Sequence, residues 1–415
     1  MRETGPPLDR RVAVTGLGAV TALGGDVHAL AAGLESGRSG IGPLTRFAHG
    51  GRCRVAAEVP EIVAPAAVAR ALPPATARRL SRPDRLALAA ADQALRQSGL
   101  EEDAARGAIG LFVGATVGGM ADSEQEYRRC RPAAGGRYRL SRLLGSPLST
   151  TAAALAQTFG LDGPRATFST ACSASALAVA EAAAAIASGR LALALVVGTD
   201  ALCRVTYAGF DALQALDPQG CRPFDRDRAG LSLGEGAAAL LLESAPHARG
   251  RGARALAWIL GAASTLDAHH VTAPHPAGAG AVAAVRSALA HAGLPPEAVD
   301  YVNAHGTGTR HNDAVEVAVL RAAFGPRLAR VPVSSTKAQL GHCLGAAGAL
   351  EAVVTVLAIT RSVLPATATL CTPDPAWDDL DLVPTPGRRH AVEVALSASY
   401  GFGGHNVALV LGRAA

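Results

Sequence analysis

Short β-branched runs alternate along this chain with alanine-rich stretches of helical length, and that alternation constrains the fold more than any other feature. Val12–Thr15 precedes Asp26–Ser36, Leu191–Val197 follows Ala174–Ser188, and Val331–Ser334 precedes Ala346–Thr360. The strand runs are apolar without strict alternation, so both faces of their sheet need cover. Strands of this kind interleaved with helices predict an α/β fold with helices layered over sheets. Aromatic residues make up only 4% of the chain and alanine dominates the helices, so helix and sheet are expected to approach closely. The 415 residues suffice for about two to three core-sized units, or for one large fold of two halves. A local echo favours the second: Ala166–Thr170 leads through Cys172 into a small-residue helix, and Val331–Thr336 leads through His342 into another.

Several classes of protein are excluded early. An apolar content of 49% with 18% charge is incompatible with disorder or a coiled coil. The net charge of +5 is compatible with an acidic partner but too weak to argue for nucleic acid. Seven cysteines without CxxC spacing make neither a disulfide framework nor a zinc ribbon. Met1–Pro7 lacks the apolar core of a signal peptide. Ser173–Val197 carries Glu181 and Arg190 and reads as a buried helix and strand rather than a membrane span. A cytoplasmic protein is expected. The clearest turn-rich stretches are Pro132-Ala133-Ala134-Gly135-Gly136 and Pro274-His275-Pro276-Ala277-Gly278. Gly16-Leu17-Gly18-Ala19-Val20-Thr21 follows a strand but lacks the third glycine of a dinucleotide-binding turn, and no phosphate-binding GxxxxGK[ST] loop exists.

Rare residues point to the chemistry. Lys337 is the only lysine beside 38 arginines, and Asn303, Asn312 and Asn406 are the only asparagines. A chain that uses arginine wherever a cation will do needs a specific reason for one lysine. Cys172 lies between a strand and a helix start, where unpaired N–H groups and the helix dipole favour a thiolate nucleophile and can hold an oxyanion. The alternative is a small buried apolar cysteine. His305 sits in Asn303-Ala304-His305-Gly306-Thr307-Gly308-Thr309, and His342 just before the second small-residue helix. One cysteine with two histidines in glycine-rich loops forms a nucleophile with two proton or hydrogen-bond partners. A metal site from His305, His311 and His342 is the competing reading, without an HExxH or paired-cysteine frame to support it. Gly401-Phe402-Gly403-Gly404 permits close backbone approach and a movable Phe402, or is a simple hairpin turn.

Thr170-Ala171-Cys172-Ser173, Asn303–Thr309, Lys337–Gly348 and Gly401-Phe402-Gly403-Gly404, in this order, resemble the β-ketoacyl-acyl-carrier-protein synthases with a Cys-His-His site. These are the condensing enzymes of fatty acid and type II polyketide synthesis, and the resemblance runs from Val12 to Leu411. It implies a thiolase fold: duplicated βαβαβαββ halves in a five-layer αβαβα sandwich, here 1–250 with the nucleophile and 251–415 with both histidines. It implies decarboxylative condensation of a Cys172-bound acyl chain with a malonyl thioester, with no bound cofactor or metal. His305 and His342 would assist decarboxylation and stabilise the enolate. The N–H groups of Cys172 and Phe402 would form the oxyanion hole, and Lys337 would pair with Glu351. Asp313 and Glu316 match the acidic pair after the first histidine motif, as structural support. Thr307 and Thr309 would bind the phosphopantetheine arm, Phe402 would gate the acyl pocket, and Val117 would line it. Arg78, Arg79 and Arg82 form a candidate basic patch for an acyl carrier protein. The partners expected are that carrier and a second ketosynthase-like subunit, in a homodimer or heterodimer, with no nucleic acid and no membrane.

The chain departs from the family's pattern at His405, where threonine is common, at Gln214, where a basic docking residue is often found, and at Gly308. His405 and Gln214 favour a specialised pathway over a housekeeping one. A thiolase would need a second cysteine near Gly401–Asn406, and an initiating synthase an asparagine at 342. A cysteine hydrolase would need only one histidine. A non-catalytic partner subunit of a condensing heterodimer, the remaining alternative, would lack the cysteine.

Overall fold

Two passes of one chain path build the molecule. A computed structural model describes residues 11–60, 62–100, 108–131 and 137–414; Met1–Pro7 and the turn-rich 132–136 stretch lie outside the described residues. The first pass runs β1 (Val12–Val20), α1 (Arg82–Gln97), β2 (Gly110–Gly114), α2 (Ser149–Phe159), β3 (Arg165–Phe168), α3 (Ala174–Ala187), β4 (Leu193–Asp200) and β5 (Gly236–Ser244). The second runs β6 (Ala257–Leu266), α4 (Ala279–Ala292), β7 (Tyr301–Asn303), α5 (Arg310–Phe324), β8 (Pro332–Ser334), α6 (Ala347–Arg361), β9 (Val394–Gly401) and β10 (His405–Arg413). Each pass reads βαβαβαββ. Each also has the same spatial strand order: β3-β2-β4-β5-β1 and β8-β7-β9-β10-β6. The first strands meet antiparallel, Val12–Val14 against Ala257–Ile259, and join both sets, with a short edge strand Asp381–Leu382 beside β8, into one eleven-stranded sheet.

The layers follow from which faces are apolar. In β5, Leu240 and Leu242 point into the core that holds α3 and α6, while Leu241 points into the core under α1 and α2. In β10, Leu409 and Leu411 face the central helices, and Ala408 and Val410 face α4 and α5. The strands are therefore apolar on both faces, as the runs in the sequence required. The layers run α1/α2, first strands, α3/α6, second strands, α4/α5: the five-layer αβαβα sandwich that the resemblance implies. α3 and α6 are apolar nearly all round because they fill the middle layer. The segment Leu344–Arg361 is long and apolar enough to cross a membrane, but 89% of it is buried here as the central helix.

Glycine sets the close approaches. Gly16 and Gly18 lie inside β1, not after a strand, and a side chain at Gly18 would run into the Ala90 carbonyl of α1. Gly261 holds the same place in the second pass, against the Ala288 carbonyl of α4. Gly348 of α6 lies against the backbone of Ala176 in α3, which brings the two loops ahead of the central helices together.

Candidate active site

β3 hands the chain to Ser169 and Thr170, then to a 3₁₀ turn, Ala171–Ser173, that opens α3. Ala171 has φ +51°, a left-handed conformation that side chains resist. The turn is held by Thr116 Oγ1 donating to the Ala171 carbonyl at 3.0 Å and by Ser173 Oγ donating to the Thr170 carbonyl at 2.8 Å. A Cβ at Gly401 would lie 2.7 Å from the Thr170 carbonyl oxygen, so glycine is what lets the tail turn reach Cys172. The backbone N–H groups of Phe402 and of Cys172 itself both serve the thiol. Its charge state differs from the expectation at a helix start: burial, the largest influence, pushes the thiol up to about 11 despite Lys337 and those donors. The Cys172 thiol keeps its proton, because desolvation outweighs the nearby cation and the two N–H donors.

The second pass repeats this construction. A 3₁₀ turn, Leu344–Ala346, opens α6, and Leu344 has φ +53°. His342 sits two residues before it. The Leu344 N–H donates to His342 Nδ1 at 3.2 Å, so Nδ1 is the acceptor and the proton resides on Nε2, which has no partner among the described residues. Lys337 fixes His305 in the same way. Its Nζ lies 3.3 Å from His305 Nδ1 and donates to the His305 carbonyl at 2.5 Å. An ammonium group only donates, so Nδ1 accepts and Nε2 again carries the proton. The imidazoles meet edge to face, 5.5 Å apart at 86°. Burial and the nearby Lys337 charge push both well below their ordinary value of 6.5. The pair is neutral and presents two N–H donors.

Carboxylates hold the frame. Lys337 pairs with Glu351 of α6, both buried, and Ser399 Oγ donates to the other Glu351 oxygen at 3.2 Å. Glu316 of α5 accepts the N–H groups of His305 at 2.7 Å and Gly306 at 2.6 Å. Asp313 accepts those of Gly308 at 3.1 Å and Phe224 at 2.9 Å. Burial raises Asp313 and takes Glu316 to about 7. Asp200, at the end of β4, accepts the N–H groups of Thr116 at 2.9 Å, Val117 at 2.8 Å and Gly345 at 2.7 Å. It ties a loop of the first pass to the His342 turn of the second.

Cys172, His305, His342, Thr307, Thr309 and Phe402 line one cavity of about 580 Å³. The Thr307 and Thr309 hydroxyls are 2.9 Å apart in its wall. Phe402 stacks on Phe210, with centroids 5.6 Å apart. Gln214 stands at the mouth, exposed. Other expectations fare differently. Val117 is buried beside Leu202 and Tyr207 and does not line this cavity. His311 is exposed at the mouth, away from the buried histidine pair, and no group of three or more His, Cys, Asp or Glu among the described residues could hold a metal. His405 borders a separate recess with Thr170 and Leu177. Arg78 and Arg79 are exposed, but Arg82 is committed to the buried Glu235, at 2.6 Å, so the basic patch is two arginines rather than three. Sequence reading missed Asp200, whose signal was an acid ending an otherwise apolar strand. It also missed Asp267, which accepts from Asn406 at 2.8 Å behind the tail turn, and Tyr400, which immediately precedes the glycine-rich motif.

Comparison with known proteins agrees with this geometry. The model of the β-ketoacyl synthase N-terminal domain matches residues 9–248, and that of the C-terminal domain matches 256–370. The 3-oxoacyl-[acyl-carrier-protein] synthase 2 of Synechocystis sp. is 39% identical, covering 96% of this chain and 97% of that protein. Nodulation protein E of Rhizobium meliloti is 39% identical over 97% of this chain and 99% of its own length. The ishigamide ketosynthase/chain length factor structure superposes with a TM-score of 0.90 at 35% identity, over 98% of this chain and 100% of that one. A strained turn that presents Cys172, two buried N–H donors lining the same cavity, and these matches along nearly the whole length lead to one conclusion: the chain belongs to the β-ketoacyl synthase family, the condensing acyltransferases of fatty acid or polyketide synthesis.

Proposed function

We propose that Cys172 carries the growing acyl chain, and that His305 and His342 together receive the oxygen of a malonyl thioester. The observation that carries this reading is the pair of neutral imidazoles, each with Nδ1 occupied and its Nε2 proton available, lining the same cavity as Cys172. In the first half-reaction the Cys172 sulfur attacks an acyl thioester. A C–S bond forms, the arm's C–S bond breaks, and the thiol proton leaves with the arm. The tetrahedral oxyanion sits on the N–H groups of Cys172 and Phe402. In the second, the malonyl C–CO₂ bond breaks, CO₂ departs, and its electron pair forms an enolate held by the two Nε2–H donors. The enolate carbon attacks the acyl carbonyl and expels the Cys172 thiolate, which takes up a proton from solvent. Neutral donors suit this step, since a cation aimed at the carboxylate would hold it back.

Thr307 and Thr309 hold the pantetheine arm, Phe402 gates the acyl chain, and Arg78 and Arg79 receive an acidic carrier protein. The lobes 1–250 and 251–415 supply nucleophile and enolate site respectively. The ishigamide ketosynthase/chain length factor structure supports a paired subunit. The seven unbridged thiols fit a reducing compartment such as the cytoplasm. Intact mass spectrometry tests the assignment. The wild type should gain an acyl group from an acyl carrier thioester and lose it on addition of malonyl carrier, releasing a ketoacyl product lengthened by C₂. Cys172→Ala should gain none. An adduct that is released without elongation would indicate a hydrolase, and an unreactive Cys172 a non-catalytic partner subunit.

A further inference from the structure

Tyr400 lines the same cavity as Cys172 and the histidines, with its ring 5.7 Å from that of His305. Its hydroxyl oxygen is buried and, among the described residues, has no hydrogen-bond partner. A buried donor left unmade is costly, and its presence beside reacting groups points to a ligand. The strand does not need it: Tyr400 is placed by its backbone pairing with Asn406, and a phenyl ring would fill the same space.

The acceptors of the proposed reaction are matched, save one. The extender's thioester oxygen meets His305 and His342, the tetrahedral oxyanion meets Cys172 and Phe402, and the arm's amides meet Thr307 and Thr309. The malonyl carboxylate is left over. We propose that the Tyr400 hydroxyl donates to this carboxylate and so selects a carboxylated extender thioester over a plain acyl thioester in the second half-reaction. The inference rests on the condensing reading above.

The surroundings suit that task. Burial, with the Glu316 and Asp267 carboxylates nearby, raises the phenol well above its ordinary value and keeps it a donor. The Asp267 charge opposes a tightly held carboxylate, which favours departure as CO₂. Lys337 is unavailable, since its ammonium is bound to Glu351 and the His305 carbonyl. Tyr400 loses no proton in the step; it orients the carboxylate while the C–C bond electrons pass into the enolate.

The test separates the half-reactions in wild type and Tyr400→Phe, an isosteric change. Cys172 is first loaded with octanoyl-pantetheine and followed by intact mass. Malonyl-pantetheine is then varied, and CO₂ release is measured. The expected result is a malonyl KM raised about tenfold or more, the worth of a hydrogen bond to a charged group, with kcat retained. An unchanged malonyl KM, a fall in kcat alone, or an equal loss in loading and condensation overturns the proposal while leaving the condensing reading in place. A wild type that takes up no octanoyl group, or that loads but releases no CO₂, overturns the condensing reading and this inference with it.

Discussion

The two halves follow one path to opposite chemical ends. Both reach the middle layer through a strand, a strained 3₁₀ turn and a small-residue helix, with Ala171 and Leu344 at positive φ in matching places. In the first half the next residue is Cys172. In the second it is Gly345, whose N–H goes to Asp200, and the chemistry has moved back to His342. The second half also holds the buried charges around the histidines: Lys337, Glu351, Glu316 and Asp313. On the proposed reading, a duplicated scaffold supplies the nucleophile from one lobe and the histidines with their buried charges from the other, and the glycine contact between α3 and α6 holds the two together.

The largest test of that division strikes the electrostatic lobe. Lys337→Met leaves Glu351 buried without its cation, and unfolding should lose about 3–5 kcal/mol. Urea denaturation reads the loss, and Lys337→Met/Glu351→Gln should recover part of it. No recovery would mean that the pair is not the unit of stability.

His342→Ala comes next. Losing one donor to the enolate should slow condensation by about 10²–10³-fold. Loading of Cys172, followed by intact mass, should change far less. An equal fall in both would break the comparison, because His342 would then serve the nucleophile as well as the enolate.

The smallest effect sharpens the comparison through pH. Burial raises Glu316 from 4.5 to about 7, so the native state keeps a proton that the unfolded chain releases between those values. Its contribution is greatest in acid and is lost as pH rises through about 7. The histidines act oppositely: each lies below 6.5 in the native state, so their contribution is present above 6.5 and is lost on acidification. Glu316→Gln removes the compensating contribution. Between about pH 7 and about pH 5 the variant should lose about 1–3 kcal/mol more stability than wild type. Equal slopes in urea midpoints across that range would show that Glu316 is ionised throughout.

Much of this was legible in the chain. The interleaved strands and alanine-rich helices imply covered sheets because both patterns are local. The single lysine, the two loop histidines and Cys172 stand out because each departs from its own surroundings. Arg82 misled because nothing near it in sequence reveals Glu235, 153 residues away. Gly16 and Gly18 misled because a strand glycine packed under a helix and a turn glycine look alike in one dimension. Tyr400 went unread because an orphaned hydroxyl is defined only by what fails to surround it.

Residue type and short-range pattern are enough to establish which groups are present, the fold class, and the strand–turn–helix frames that carry Cys172 and His342. Tertiary structure alone decided their states: a protonated Cys172, neutral histidines with the proton on Nε2, and Asp200 bridging the lobes. The reason is that protonation and tautomer are set by burial and by partners brought from distant segments, and neither is encoded in the spacing of neighbours along the chain.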